Sequence, residues 1–254
     1  LRFFTVFATD AKHRKIKVIA RFQQFQATNL IVERVLHGHI KQGLIWHFQG
    51  SGKSLLMLFS ALKLRAMAEL TNPTILIVVD RIDLDTQITG TFNASDVPGL
   101  VSTDSRKELQ TLLSQGARKI IITTIHKFGE VDGVLDDRQN IIAMVDEAHR
   151  SQEGDYGQRM REALPNAFLF GLTGTPINKR DHNTFMWFGS AEDEGGYLSR
   201  YSFQDSIRDG ATLPLHFEPR LIDLHIDKEA IDQAYAELTG GLSDLDKETL
   251  ARAA

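Results

Sequence analysis

Five short apolar runs, rich in β-branched residues and followed by glycine or polar residues, constrain the fold of this chain most. They lie at 44–48, 74–79, 119–124, 141–145 and 167–172. Continuous apolar runs of this length are typical of strands that are covered on both faces. Helical stretches are predicted beside them at 27–36, 54–70, 105–115 and 160–164. This strand–helix alternation predicts an α/β fold, with a parallel sheet, right-handed crossovers and helices on both faces.

Composition describes an ordinary globular protein and excludes several kinds of site. The 254 residues include 42% hydrophobic residues and no cysteine. Disulfides, thiolate zinc sites and cysteine nucleophiles are therefore excluded, and a reducing, cytoplasmic location is expected. No apolar run approaches the roughly 20 residues that span a bilayer, so no membrane association is expected. The net charge of −4 argues against a free-standing nucleic-acid binder, although a few local donors are enough to hold phosphates.

A glycine-rich segment, HFQGSGKS, follows the first predicted strand and opens a predicted helix. Gly50 and Gly52 allow the backbone to curl around Ser51, so that successive N–H groups point inward at an anion. The start of the helix adds the positive end of its dipole. Lys53 supplies a mobile charge for the β- and γ-phosphates, and the Ser54 hydroxyl offers a ligand to Mg²⁺. This context predicts a phosphate-binding loop.

The loop departs from the full GxxxxGK[ST] pattern at one position. His47 stands where the pattern has its first glycine. The later glycines are the ones that approach the phosphates, so the prediction survives this change. The alternative is a chance glycine-rich turn before a helix.

The fourth predicted strand ends in two carboxylates, Asp146 and Glu147. Neighbouring residues of a strand point to opposite faces, so one carboxylate can join a magnesium shell while the other orients or deprotonates the attacking water. We assign Asp146 to the metal, and Glu147 with Lys53 to catalysis. Adjacent carboxylates also occur as solvated pairs, but the apolar strand before them and the phosphate loop upstream favour the catalytic interpretation. His149 either couples this site to a second domain or makes a local hydrogen bond.

Three segments resemble motifs I, II and III of superfamily 2 helicases and translocases. They are GSGKS with Lys53, Asp-Glu-Ala-His at 146–149, and Thr-Gly-Thr-Pro at 173–176, which follows the fifth predicted strand. Arg21 and Gln24 are similar to the adenine-reading segment of that superfamily, in which a glutamine three residues after an arginine binds the base. The resemblance implies that Gln24 reads the adenine of ATP, and an amide has the donor and acceptor for this. Gln23 and Gln26, or an ordinary surface helix start, are the alternatives.

Six longer segments narrow the resemblance. WHFQGSGKS, VVDRIDLDTQ, TTIHKF, VDEAHRSQ, FGLTGTPI and SIRDGATLPL follow one another in this order. Together they resemble the motor (R) subunit of type I restriction-modification enzymes. In that family a motor with two RecA-like domains pulls double-stranded DNA past a bound complex, and a nuclease domain cuts at a distance. The resemblance implies ATP and Mg²⁺ as cofactors, and methyltransferase (M) and specificity (S) subunits as partners.

The same resemblance implies positions that face DNA. Arg81, Thr123, Thr124 and Lys127 lie at the ends of predicted strands, where hydroxyls and cations can hold phosphates without reading sequence. Arg81 and Lys127 are equally compatible with ordinary solvated charges. Thr173 and Thr175, with His149, are implied to couple the ATP state to the grip on DNA.

We expect a lead-in at 1–38 that carries the adenine-reading segment, the first RecA-like motor domain at 39–215, and a linker or the start of the second motor domain at 216–254. The nuclease is expected outside this chain, and the chain alone is expected to hydrolyse ATP slowly because the second domain supplies arginines. Two other functions remain open: a regulatory nucleotide-binding module, and another superfamily 2 DNA-repair or RNA helicase. Glu147 argues against the first, and the flanks of the six segments argue against the second.

Overall fold

The computed structural model describes residues 3–9, 12, 14–79, 90–92, 97, 99–115, 119–129, 133–148, 156–177, 184–216, 218, 233–234 and 237. The chain divides into two compact units, Leu1–Leu213 and Pro214–Ala254. The second unit is described at only a few positions, so the account below concerns the first.

The first unit contains strands and helices in alternation over most of its length. The strands are β1 (Thr5–Thr9), β2 (Lys15–Ile19), β3 (Gln42–His47), β4 (Thr74–Val79), β5 (Leu100–Ser102), β6 (Ile120–Thr124), β7 (Ile141–Val145), β8 (Phe168–Thr173) and β9 (Ser199–Tyr201). The helices are α1 (Phe22–His37), α2 (Lys53–Ala66), α3 (Arg106–Ser114), α4 (His126–Gly129), α5 (Tyr156–Ala163), α6 (Thr184–Phe188) and α7 (Phe203–Arg208). Short 3₁₀ turns occupy Ala68–Leu70 and Glu194–Gly196.

Seven of these strands form one sheet in the order β5-β6-β4-β7-β8-β3-β9. Every neighbouring pair in it is parallel. The predicted α/β fold, a P-loop RecA-like parallel sheet with helices on both faces, is confirmed. The five predicted strands are β3, β4, β6, β7 and β8, and each lies within two residues of its predicted bounds.

The core consists of two layers, one on each face of the sheet. Along β4, Ile75 and Ile77 pack toward the face that α1 and α2 cover, whereas Leu76 and Val78 pack toward the face covered by α3, α5 and α6. All six residues of β4 are buried. A strand covered on both faces needs apolar residues at successive positions, which is why these runs are continuous rather than alternating.

Several elements escaped prediction. β1 and β2 pair antiparallel as a separate two-stranded sheet, and both lie inside the predicted lead-in at 1–38. The outward face of this hairpin carries exposed side chains such as those of Lys15, Lys17 and Phe7, so its sequence lacks a continuous apolar run. β5 and β9 are three-residue strands at the two edges of the large sheet, too short to produce a recognisable period.

Across the described part of the chain, none of the helices has the length and apolar character that crossing a membrane requires.

Candidate nucleotide-binding site

The carboxyl ends of β3, β8 and β7 are neighbours at one edge of the sheet. Trp46 of β3 is level with Thr173 of β8, and Val145 of β7 is level with Gly171 of β8. The glycine-rich loop, the Thr-Gly-Thr segment and the acidic pair follow these three strands directly. Neighbouring strands lie about 4.8 Å apart, so the two outer strand ends are separated by about 10 Å. The sheet therefore brings together at one edge the segments that the sequence predicts to act together.

The glycine-rich loop has the backbone that an anion-binding turn requires. Gly50 and Gly52 have φ angles of 87° and 83°, in the left-handed region that L side chains rarely adopt. Helix α2 begins immediately afterwards at Lys53, with Leu56 N–H donating to the Gly52 carbonyl at 3.1 Å. The free N–H groups of the first helical turn therefore follow the glycine turn without a break.

Ser51 at the centre of this loop supplies an independent sign of a ligand. The residue is 1% exposed, and its Oγ has no hydrogen-bond partner among the described residues. Buried hydroxyls are nearly always hydrogen-bonded, so an unpartnered one calls for an explanation. A phosphate held by the loop would accept a hydrogen bond from this hydroxyl. The residues present therefore fit a nucleotide phosphate.

The acidic pair is held by backbone hydrogen bonds to the strands on either side. Asp146 N–H donates to the Val78 carbonyl at 2.8 Å, and Ala148 N–H donates to the Leu172 carbonyl at 3.0 Å. Between them Glu147 has a φ of 48°, an uncommon conformation for a residue with a side chain. Such strain is of order 1–3 kcal/mol and persists where the surroundings enforce it. Asp146 is 9% exposed, and Glu147 is more open, so the two carboxylates have different access to solvent.

Gln24 lies against the glycine-rich loop. Its Nε2 donates to the carbonyls of Ser51 and Gly52 at 3.2 and 3.1 Å, and its Oε1 accepts the Arg21 N–H at 2.9 Å. The residue is only 1% exposed. Adenine reading by Gln24 stays a prediction, but it would require the amide to leave these partners. Arg21 itself is exposed at the start of α1.

His47 anchors the start of the loop to β9. Its Nε2 lies 2.9 Å from Ser199 Oγ, and its ring makes an edge contact with that of Tyr201, with the centroids 6.0 Å apart. Burial, and after it the positive charge of Lys53, lower the pKa of His47 to about 4. The imidazole is therefore neutral at physiological pH and adds no charge to the site. At a position where the general pattern has glycine, this chain uses a side chain that reaches the neighbouring strand.

Two of the predicted DNA contacts lie at the end of another strand of the sheet. Thr123 and Thr124 end β6 and are 2% and 4% exposed, so their hydroxyls face the interior in this conformation. Lys127 Nζ is paired with Asp104 Oδ1 at 2.9 Å, with 23% of the lysine side chain exposed. Arg81 lies outside the described residues. As DNA contacts, all four remain predictions.

Of the residues predicted to couple ATP and DNA, the structure describes Thr173 and Thr175. Thr173 is fully buried, and its Oγ1 accepts the Thr175 N–H at 3.0 Å, whereas Thr175 is exposed. This bond closes a tight turn at the carboxyl end of β8. His149 lies outside the described residues.

Sequence reasoning used Trp46 and His47 as markers of a family and assigned them no structural role. In the structure Trp46 contacts the Thr-Gly-Thr turn through its indole, and His47 contacts β9. Arg200, on β9, lies over the Trp46 ring. The available signal was the change from aliphatic residues to an aromatic and an imidazole at the end of a buried strand.

Comparison with known proteins gives one family over most of the chain. Residues 23–248 match the SWI2/SNF2 ATPase family. Two curated relatives are similar in sequence. A putative type I restriction enzyme MjaIXP endonuclease subunit of Methanocaldococcus jannaschii is 38% identical over 89% of this chain and 22% of that protein. The type I restriction enzyme HindI endonuclease subunit of Haemophilus influenzae is 37% identical over 96% of this chain and 25% of that protein.

The chain spans about a quarter of the length of these relatives. Among solved structures, the ATP-dependent type ISP restriction-modification enzyme LlaBIII bound to DNA is similar in fold, with a TM-score of 0.50 and 15% identity over 79% of this chain and 16% of that one.

Replacing His47 by Gln should make the stability of the protein less sensitive to acid. The folded pKa of about 4 lies below the ordinary value of 6.5. The stabilisation is therefore complete above pH 6.5 and is lost as the pH falls toward the folded pKa. At pH 5 this loss amounts to about 2 kcal/mol in the free energy of unfolding. Urea unfolding at pH 7 and pH 5 measures it, with exposed His37→Gln as the control, and equal losses in wild type and His47→Gln would contradict the assignment.

Replacing Gln24 by Glu should lower the affinity for all nucleotides by a similar factor. A carboxylate cannot donate to the Ser51 and Gly52 carbonyls, and losing one buried and one partly buried hydrogen bond costs about 1–3 kcal/mol, or roughly 10- to 100-fold in affinity. Titration calorimetry with ATP and GTP would measure the change, with the exposed neighbour Gln26→Glu as the matched control. A loss confined to ATP would show instead that the amide reads the base.

Proposed function

The chain belongs to the SWI2/SNF2 ATPase family, and from this premise we propose that it is the ATP-binding and hydrolysing half of a double-stranded-DNA translocase in a type I restriction endonuclease. The observation that carries the proposal is the common edge of β3, β8 and β7. There a glycine turn leading into a helix lies two strands away from a pair of carboxylates. Nucleotide hydrolysis needs donors for the phosphates on one side and a carboxylate for water on the other.

The loop and Lys53 do the binding. Backbone N–H groups of the turn after Gly50 and of the first turn of α2 donate to phosphate oxygens, and the Lys53 ammonium neutralises their charge. Ser51 Oγ, buried and without a partner among the described residues, adds one more donor. Gln24 supports this loop because its Nε2 donates hydrogen bonds to the Ser51 and Gly52 carbonyls, while its Oε1 accepts the Arg21 N–H.

The acidic pair divides the remaining work. Asp146, nearly buried and fixed by its N–H bond to β4, would stand beside the metal with the Ser54 hydroxyl. Mg²⁺, when bound with ATP, neutralises charge on the phosphate oxygens. Glu147, the more open carboxylate, orients the attacking water and accepts its proton. The backbone at Glu147 has a φ of 48°, a strained conformation of the kind that is found at functional sites.

Double-stranded DNA is the proposed track. Two relatives of this chain are named type I restriction enzyme endonuclease subunits, so they act as parts of a larger assembly. As partners of this chain we propose the methyltransferase and specificity subunits. We assign DNA cleavage to a nuclease outside this chain. We also propose a cytoplasmic location, with which the absence of cysteine is compatible. Within the chain we propose a lead-in at 1–38, the motor domain at 39–215, and a linker or the beginning of a second motor domain at 216–254.

The grip on DNA is proposed for Arg81, Thr123, Thr124 and Lys127. The burial of the two threonines means that β6 must open at its carboxyl end before their hydroxyls meet phosphates, or that their backbone makes the contact. Lys127 would exchange Asp104 for a phosphate. His149, Thr173 and Thr175 are proposed to couple these contacts to the nucleotide.

Two substitutions separate binding from hydrolysis. Lys53→Ala should weaken ATP binding on the order of 100-fold, because a charge-assisted contact to phosphate is lost. Glu147→Gln should keep binding within about threefold and lower hydrolysis by roughly 10²- to 10⁴-fold, because the base is lost. Calorimetry and phosphate release measure the two quantities, and Lys63→Ala, farther along α2, is the matched control. Equal ATP affinity of wild type and Lys53→Ala would refute the phosphate-loop assignment.

The translocase proposal is tested with the assembled enzyme. With ATP it should displace a third strand from long duplex DNA without separating the duplex, and Glu147→Gln should abolish the displacement. Strand separation of short RNA duplexes, without displacement on DNA, would favour an RNA helicase instead.

A further inference from the structure

The indole of Trp46 joins the strand that precedes the phosphate loop to the turn that follows β8. Its Nε1 donates to the Gly174 carbonyl at 3.0 Å, between residues 128 positions apart in the chain. Gly174 is the middle residue of the Thr-Gly-Thr turn, which the Thr175 N–H to Thr173 Oγ1 bond closes. A side-chain donor thus holds a carbonyl that belongs neither to its own strand nor to its own loop.

The backbone of the same turn also lies close to the start of the phosphate loop. A Cβ placed on Gly174 would lie 3.2 Å from the Gln49 nitrogen and 3.6 Å from the His47 carbonyl oxygen. A side chain at 174 would therefore press on the backbone of Gln49 and His47. The turn lies close to the start of the phosphate loop, and the Trp46 indole hydrogen-bonds to the turn from the strand that leads into that loop.

The Trp46 ring itself contacts two side chains that hold it in place. The Arg200 guanidinium carbon lies 4.7 Å from the ring centroid, and the Tyr197 ring lies 5.3 Å away. Arg200 is also level with Trp46 in the parallel pairing of β3 and β9. A cation and an aromatic ring fix the orientation of the indole, so its N–H points at one acceptor.

The Thr-Gly-Thr turn continues this connection toward the acidic pair. Ala148 N–H donates to the Leu172 carbonyl, and a Cβ on Gly171 would lie 2.9 Å from the Ala148 Cβ. β8 therefore contacts Ala148, which follows the acidic pair, and ends in the turn that the Trp46 indole contacts.

We propose that Trp46 is a positioning residue that transmits nucleotide binding at the phosphate loop to the Thr-Gly-Thr turn, an inference that rests on the proposed nucleotide function. The phosphate loop reorganises its N–H groups around the phosphates, and Trp46, at the end of the strand that leads into it, carries that change to the Gly174 carbonyl. Hydrogen exchange at 173–175 should then depend on the nucleotide only while the indole N–H is present. A role in packing alone would not produce this dependence, because the ring would still fill the same space.

Trp46→Phe is the first variant, since it keeps an aromatic ring against Arg200 and removes the donor. Amide hydrogen exchange is measured on the full chain with and without AMP-PNP and Mg²⁺. In wild type we expect the nucleotide to slow exchange at 50–54 and at 173–175, the latter about tenfold, as for one hydrogen bond. In Trp46→Phe we expect slowing at 50–54 to remain and slowing at 173–175 to fall below about twofold, with affinity within about threefold.

Two further variants of the chain serve as controls. Trp187→Phe removes the other tryptophan of the chain and should behave as wild type. Benzothienylalanine at position 46 replaces the indole N–H by sulfur in a ring of the same shape, and should reproduce the Trp46→Phe result even if phenylalanine packs poorly.

The outcomes separate this inference from the function on which it rests. Unchanged slowing at 173–175 in both position-46 variants overturns the role of Trp46 and leaves the nucleotide site intact. Loss of slowing at 50–54 as well, at saturating AMP-PNP, shows a general structural role and also overturns it. Failure of AMP-PNP to bind wild type overturns the proposed function, and the inference with it.

Discussion

Parallel pairing of β8 with β3 on one side and β7 on the other is the constraint on which the site depends. Backbone hydrogen bonds set Trp46 level with Thr173, and Val145 level with Gly171. Three loops that are far apart in the chain therefore leave the sheet on the same edge, with the end of β7 two residues of β8 below the level of Trp46. The apolar side chains of these strands bury both faces, so polar groups are confined to the strand ends, where the chemistry takes place.

The charges at that edge follow from the same arrangement. Lys53 and the start of α2 present positive charge next to strand ends that carry Asp146 and Glu147. A protonated imidazole at His47 would repel Lys53 from a buried position, and burial keeps the ring neutral instead. His47 therefore anchors the loop to Ser199 without altering the balance between cation and carboxylates. A glycine at this position would leave the balance unchanged and would lose the anchor.

The central strands could be predicted because burial on both faces leaves a continuous apolar run, as at 74–79 and 141–145. The phosphate loop could be predicted because glycine conformation and lysine charge are local properties of the sequence. β9 could not, since a three-residue edge strand with an exposed Arg200 between two buried residues has no period to detect. The burial of Thr123 and Thr124 also escaped, because a resemblance gives residue types and not the side of the strand end that they face.

Gln24 illustrates the limit of residue chemistry most clearly. An amide donates equally well to a purine and to a carbonyl, so the residue type at position 24 does not decide between reading a base and supporting a loop. What the sequence does not reveal is that the fold brings the Ser51 and Gly52 carbonyls to 3.2 and 3.1 Å from Nε2. A Cβ at position 52 would collide with that Nε2, and φ there is 83°. Glycine at 52 is thus required twice, once for its backbone conformation and once for the close approach of the Gln24 amide, and this second requirement links the loop to α1.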